Sequence, residues 1–118
     1  MCAAHYHLDN LVAIVDRNGL SCDGEIAALQ CQDDYPARWQ AFGWAVRETD
    51  GHNVGEVAAN LRAIPYIAGK PSVLIARTIK GKGVSFMENV PNYHRANISP
   101  AQAEQALAEI ALQREAWL

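Results

Sequence analysis

A chain of 118 residues, half of them hydrophobic and 19% charged, has the composition of an ordinary globular domain and is long enough for one core but not for a second full domain. Its formal net charge of -3 is made of mixed signs, which leaves no basic footprint for nucleic acid or for an anionic membrane surface. Three cysteines, Cys2, Cys22 and Cys31, with no C-x-x-C pair, suggest neither a disulfide framework nor a cysteine zinc site and fit a reducing cytoplasm. No run approaches the ~18 to 20 apolar residues of a membrane span, and the start lacks the basic and apolar regions of a signal peptide, so a soluble cytoplasmic protein is expected.

In chain order, MCAAHYHLDN offers no capping residue ahead of its alanines and reads as the last turns of a helix already under way. The chain is therefore expected to begin in mid-fold. Leu11 to Val15 is a continuous apolar run rich in β-branched residues, the pattern of a strand covered on both faces in a parallel sheet. A short helix follows over Tyr35 to Phe42, entered from Asp33 and Asp34, with Gly43 at the left-handed C-cap position. Trp44 to Glu48 is a further, weaker strand pattern. Asn53 and Glu56 resemble a capping box opening a helix from Val54 to about Tyr66, with Val54, Val57, Ala58, Leu61 and Ile64 on one face. Ser72 to Ala76, SVLIA, repeats the buried-strand pattern after Pro71. The last helix opens with Ser99 as cap, Pro100 at the first helical position and Gln102 three residues after the cap, placing Ala103, Leu107, Ile110 and Trp117 inward.

The alternation of strand and helix predicts an α/β fold, a partial doubly wound parallel sheet of about three βα units with right-handed crossovers. Three strands make a thin sheet, so the sheet is expected to continue in residues this chain lacks, and an exposed edge favours association. There is no internal repeat or low-complexity segment. The stretch from Lys80 to Ile98 is the one long irregular connection, a position often given to function.

Ligands of open α/β sheets lie beyond the carboxyl ends of the strands. Three polar clusters follow the strands: Asp16 to Gly24, Asp50-Gly51-His52-Asn53, and Arg77 to Gly83. Asn18-Gly19 has two readings, a hairpin turn or an irregular loop. In the second, the Asn18 amide oxygen and a backbone carbonyl two residues on form a pair of neutral ligands for a hard cation such as Mg²⁺. Lys80 to Gly83, KGKG, has two readings as well, a phosphate-contacting backbone or a solvated turn; it is not the P-loop pattern. His5 and His7 read as surface residues and His52 as a local hydrogen-bonding group. His94 is either a surface residue or a proton-transfer or phosphate-contacting group.

Taken in order, LDNLVAIVDRNGLSCDG, WQAFGWAVRETDGHN, GKPSVLIARTIKGKGVSFMEN, then a histidine and a capped helix, resemble the thiamine-diphosphate-binding domain of transketolase. The likeness is to its C-terminal part and is strongest to the N-terminal subunit of the bacterial split form; it covers essentially all of residues 1–118. The resemblance implies a thiamine-diphosphate-binding fold and transfer of a two-carbon ketol unit from a ketose phosphate to an aldose phosphate, as in the pentose phosphate pathway of carbohydrate metabolism. Thiamine diphosphate and a divalent metal, Mg²⁺ or Ca²⁺, are the implied cofactors; the carbon chemistry is the cofactor's own. By the same resemblance Asn18 gives its side-chain oxygen and Leu20 its backbone carbonyl to the metal. Cys22 and Ile79 lie against the thiamine rings, and His94 lies near the diphosphate and the reacting carbon, a catalytic position. Asp50-Gly51-His52 matches a family block with no role attached. The acidic residue that activates the cofactor comes, in this family, from a pyrimidine-binding domain, which in the split form is another subunit, so an oligomer that includes a partner subunit is implied.

The departures are as definite as the matches. The family's Gly-Asp-Gly segment, which precedes the asparagine and carries a metal-binding aspartate, has no counterpart here, nor do its substrate-facing histidines. Arg95 stands where glycine follows the loop histidine, and His7 where lysine precedes LDN. The chain alone is therefore expected to bind thiamine diphosphate very weakly and not to turn over ketose phosphates. Two further readings stand beside transketolase: a non-catalytic α/β binding or assembly module derived from the same domain, and part of a related thiamine-diphosphate synthase acting on pyruvate and a triose phosphate. The KGKGV and SFMEN blocks favour transketolase over the synthase.

Overall fold

A computed structural model describes residues 1–21, 24–29 and 34–115; Cys22, Cys31, Asp33 and Trp117 lie outside the described residues. In chain order the elements are α1 (Cys2–His5), β1 (Val12–Arg17), β2 (Leu20–Ser21), β3 (Gly24–Glu25), α2 (Ile26–Leu29), α3 (Tyr35–Ala41), β4 (Ala45–Asp50), α4 (Val54–Arg62), β5 (Ser72–Arg77), a 3-10 turn (Pro91–His94) and α5 (Pro100–Glu115). They form two units, residues 1–18 with 31–78, and residues 19–30 with 79–118.

The first unit holds the parallel sheet, in the order β1-β5-β4. Leu74 is paired with Ile14 on one side and Arg47 on the other, and Arg77 with Arg17 and Asp50, so all three strands end at the same edge. β5 lies between two neighbours, and its Ser72, Val73, Leu74 and Ile75 are completely buried, as the unbroken apolar run SVLIA requires. The equally apolar run in β1 behaves differently: its residues alternate between exposed and half-buried, and Ile14 is 57% exposed. The expectation of two covered faces is thus corrected. Among the described residues β1 is bonded on one side, to β5, while the helical cover, α3 and α4, packs on β4 at the opposite edge.

Helices α3 and α4 begin where a capping side chain satisfies a free backbone donor. Asp34 Oδ1 accepts from the Ala37 N–H at 2.9 Å, and Gly43 follows α3 with a left-handed φ of 87°. Asn53 Oδ1 accepts from the Glu56 N–H at 3.1 Å, and Asn53 Nδ2 donates to the Glu56 carboxylate at 3.0 Å. α4 stops at Arg62, short of the expected Tyr66, because Pro65 disfavours helical geometry at Ile64. Val57, Ala58 and Ile64 are half-buried as expected, whereas Val54 at the first position is 72% exposed and Leu61 is also exposed.

In the second unit β2 and β3 pair antiparallel over two residues each, Leu20 with Glu25 and Ser21 with Gly24. β1 pairs with β5 and not with this ribbon, so Asn18-Gly19 does not close a hairpin on β1 and the irregular-loop reading stands. The long connection is a series of tight turns: Val84 N–H donates to the Gly81 carbonyl at 3.2 Å, Glu88 N–H to Val84 at 3.1 Å and Asn89 N–H to Lys80 at 2.9 Å. Ser99 and Gln102 form the expected capping box in both directions, Gln102 N–H to Ser99 Oγ at 3.2 Å and Ser99 N–H to Gln102 Oε1 at 2.9 Å.

The inward face of α5 is not the expected one. Leu107 and Ile110 are 68% and 51% exposed, Ala103 is half-buried, and Ala106 is buried. The helix is tied to the loop by polar groups at helical spacing after Ala106: Glu109 accepts from Ser85 N–H at 2.6 Å and Ser85 Oγ at 2.7 Å, and Gln113 Nε2 donates to the Gly83 carbonyl at 2.8 Å. Hydrogen-bonding partners in the turn decide the face, and apolar count does not.

Leu74→Ala is expected to lower stability by about 2–5 kcal/mol and Ile14→Ala by no more than ~1 kcal/mol, measured by denaturant unfolding; equal costs would contradict the edge placement of β1. The Ser85 backbone donor, then the Gln105 side chain and the Ser85 hydroxyl, hold the Glu109 carboxyl below the usual carboxylate range. A depressed folded-state pKa stabilises above the ordinary carboxylate pKa, and that contribution is lost as pH falls through the lowered value. Amide exchange protection at Ser85 should accordingly fall on acidification, and Glu109→Gln should flatten that dependence.

Candidate functional site

In the first unit the chemistry-bearing residues gather at the carboxyl edge of the sheet, because parallel pairing brings three strand ends there. Asp16 sits one residue before the end of β1. Its Oδ1 accepts from the Thr78 hydroxyl, just past β5, and its Oδ2 accepts from Asn18 Nδ2 at 3.4 Å. Thr78 N–H donates to the Arg17 carbonyl at 3.3 Å. The NH₂ end of the Asn18 amide thus faces Asp16.

Beside β4, Arg77 forms a close ion pair with Glu48, and Thr49 Oγ1 donates to Glu56 Oε2 at 3.2 Å. Glu48, Thr49, Asp50, Glu56 and Arg77 line an open cleft of about 450 Å³. Three carboxylates against one guanidinium repel a diphosphate, so this cleft does not suit the anionic end of the implied cofactor. The backbone N–H of His52 donates to Asp50 Oδ1 at 2.9 Å. His5 and His7 are exposed, His7 Nδ1 lying 3.2 Å from the Gly69 carbonyl oxygen.

The other candidates belong to the second unit, except Cys22, which lies outside the described residues. Leu20 opens the β2–β3 ribbon and is half-buried. Ile79 is half-buried, and its carbonyl accepts from the Lys82 N–H at 3.2 Å. His94 is exposed at the end of the 3-10 turn. In KGKG the chain supplies its own anion: Glu88 Oε1 accepts from the Gly83 N–H at 3.0 Å and stands 3.6 Å from Lys82 Nζ. Gly81, with a φ of 73°, leaves no room for a Cβ, which would meet the Met87 carbonyl oxygen at 2.6 Å. The internal carboxylate favours a turn over a phosphate cradle for KGKG, although Gly83 is buried where a solvated turn was expected.

Among the described residues no cluster of three or more His, Cys, Asp and Glu side chains is placed to hold a metal ion. An amide oxygen with a backbone carbonyl suits a hard ion such as Mg²⁺ or Ca²⁺, which also takes carboxylates, waters and phosphate oxygens. Thr78 and Asp16 fall inside the polar clusters read from the sequence, which assigned neither an individual role. Their signal was indirect, since Arg17 and Arg77 become neighbours only when the first and last strands pair.

The family described as "Transketolase, thiamine diphosphate binding domain" matches residues 1–116. The chain is 40% identical over 111 residues to one of the subunits of apulose-4-phosphate transketolase from Phocaeicola vulgatus, covering 94% of this chain and 40% of that protein. It is 34% identical over 110 residues to the 6-deoxy-6-sulfo-D-fructose transketolase subunit SqwG of a Clostridium species, covering 93% of this chain and 40% of the relative. The chain thus spans about two-fifths of these relatives' length. The crystal structure of transketolase from Campylobacter jejuni superposes with a TM-score of 0.83 at 26% identity, over 93% of this chain and 17% of that one. Matched along almost its entire length in sequence and in fold, the chain belongs to the family of transketolase thiamine diphosphate binding domains.

Proposed function

We propose that the chain works as part of a thiamine-diphosphate-dependent transketolase of the split kind, moving a two-carbon ketol unit from a ketose phosphate to an aldose phosphate in the cytoplasm. The observation that carries this reading is the anchored Asn18 amide at the carboxyl end of β1, in a chain that matches the family over residues 1–116. The names of the two relatives point to different anionic ketoses, a phosphate and a sulfonate, so an anionic ketose is the substrate class. Both relatives are named as subunits; a separate polypeptide carrying the pyrimidine-binding domain is the corresponding partner here, within an oligomer.

In this reading Asn18 gives its amide oxygen and Leu20 its backbone carbonyl to Mg²⁺ or Ca²⁺, Cys22 and Ile79 border the thiamine rings, and His94 serves the reacting end. When bound, thiamine diphosphate supplies the carbon nucleophile and the stabilisation of negative charge on which ketol transfer depends. The protein's share is positioning: neutral oxygens would hold the metal, apolar side chains would exclude water, and an exposed imidazole could pass a proton. A cation held by Asn18 and Leu20 would also take diphosphate oxygens. Metal and cofactor should then each tighten the other's binding by the same factor.

The test is calorimetric titration of the chain with thiamine diphosphate, with and without Mg²⁺, followed by ketol transfer measured on the chain assembled with a pyrimidine-binding partner. Weak, Mg²⁺-dependent binding is expected, weakened further by at least about tenfold in Asn18→Ala, together with transfer that requires both the metal and the partner. Partner binding without cofactor binding or transfer would replace this reading with an assembly module, and clear transfer by the chain alone would remove the need for a partner.

A further inference from the structure

We propose that Thr78, Asp16 and Gly51 form a positioning relay that sets which end of the Asn18 amide faces the metal; the relay rests on the reading of Asn18 as a ligand. The pairing of Arg17 with Arg77 makes Asn18 and Thr78 the first residues beyond the matched ends of β1 and β5. The Thr78 N–H to the Arg17 carbonyl carries the pairing one step past that end. From there the Thr78 hydroxyl donates to one oxygen of Asp16, and the other oxygen takes Asn18 Nδ2.

The chemistry of these groups gives the relay a direction. An ionised carboxylate only accepts, so Asp16 can receive the NH₂ end of the Asn18 amide and not its oxygen. A rotated amide would set a carbonyl oxygen against the carboxylate and offer the NH₂ to the cation. Asp16 therefore selects the rotamer that presents oxygen, and Thr78, by engaging the second carboxylate oxygen, holds Asp16 in the plane that makes this selection. Outer residues that orient a ligand influence metal affinity in this way without touching the ion.

Gly51 provides an independent observation. Its N–H donates to the Arg77 carbonyl at 2.8 Å, and a Cβ on it would lie 2.4 Å from Thr78 Cγ2 and 3.0 Å from the Arg77 carbonyl oxygen. No side chain at position 51 is compatible with Thr78 where it stands. The Asp50–His52 turn, closed by the bond from His52 N–H to Asp50 Oδ1, brings that glycine against Thr78, so the Asp50-Gly51-His52 block acquires a role at the neighbouring strand end.

The experiment is Mn²⁺ titration of the full chain in saturating thiamine diphosphate, with free Mn²⁺ read by electron paramagnetic resonance and the thermal midpoint of each metal-free variant measured alongside. Asp16→Ala is expected to weaken Mn²⁺ binding by about 10–100-fold and Thr78→Val by roughly 3–10-fold. Thr78→Ser, which keeps the hydroxyl, should stay within about twofold of wild type, and Gly51→Ala should behave as Thr78→Val. Asn53→Ala, which removes the α4 cap, serves as the structural control: its midpoint falls while its affinity is unchanged. Wild-type affinity in Thr78→Val would overturn the relay and leave Asp16 acting directly. A loss that tracks the thermal midpoint across all variants, Asn53→Ala included, would overturn it in favour of a purely structural role. Unchanged affinity in Asn18→Ala would refute the ligand reading itself, an outcome distinct from failure of the relay alone.

Discussion

Everything in the first unit depends on β5 being hydrogen-bonded on both sides. A strand buried on both faces must find partners for every backbone N–H and C=O along its length, and β5 finds them in β1 and β4, both parallel to it. The first and last strands of the chain's sheet are thereby made neighbours, with the middle strand displaced to an edge. Parallel pairing in matched register also brings Arg17, Asp50 and Arg77 to one line, so the polar residues that follow each strand share one edge.

At that edge most groups are engaged with one another. Asp16 joins two strand ends through Thr78 and Asn18, Glu48 neutralises Arg77, and Thr49 meets Glu56. Such mutual satisfaction removes the cost of holding polar groups close to a buried strand and gives the side chains defined orientations. In the second unit the same economy is visible in KGKG, where Glu88 takes the backbone donor and the ammonium group that an external phosphate would otherwise use.

The family relationship and the geometry support each other at different levels. Similarity over 94% of the chain to one transketolase polypeptide, together with a superposition at a TM-score of 0.83, establishes the family and the fold. Neither describes the setting of Asn18, whose side-chain nitrogen is received by the Asp16 carboxylate, a group that only accepts.

The strongly local features were legible in the sequence. SVLIA announced a doubly buried strand, Asn53 and Glu56 and then Ser99 and Gln102 announced helix starts, and the ordered blocks around Asn18 announced the family, because each depends on residues adjacent in the chain. The exposure of Ile14, the polar inward face of α5, and the meeting of Thr78 with Asp16 were not legible. They turn on which strand lies at the edge, which turn receives Glu109, and which strand ends become neighbours across 62 positions of sequence. Local pattern determines what a segment becomes; strand order and long-range hydrogen bonding decide which of its faces is covered and which of its side chains meet.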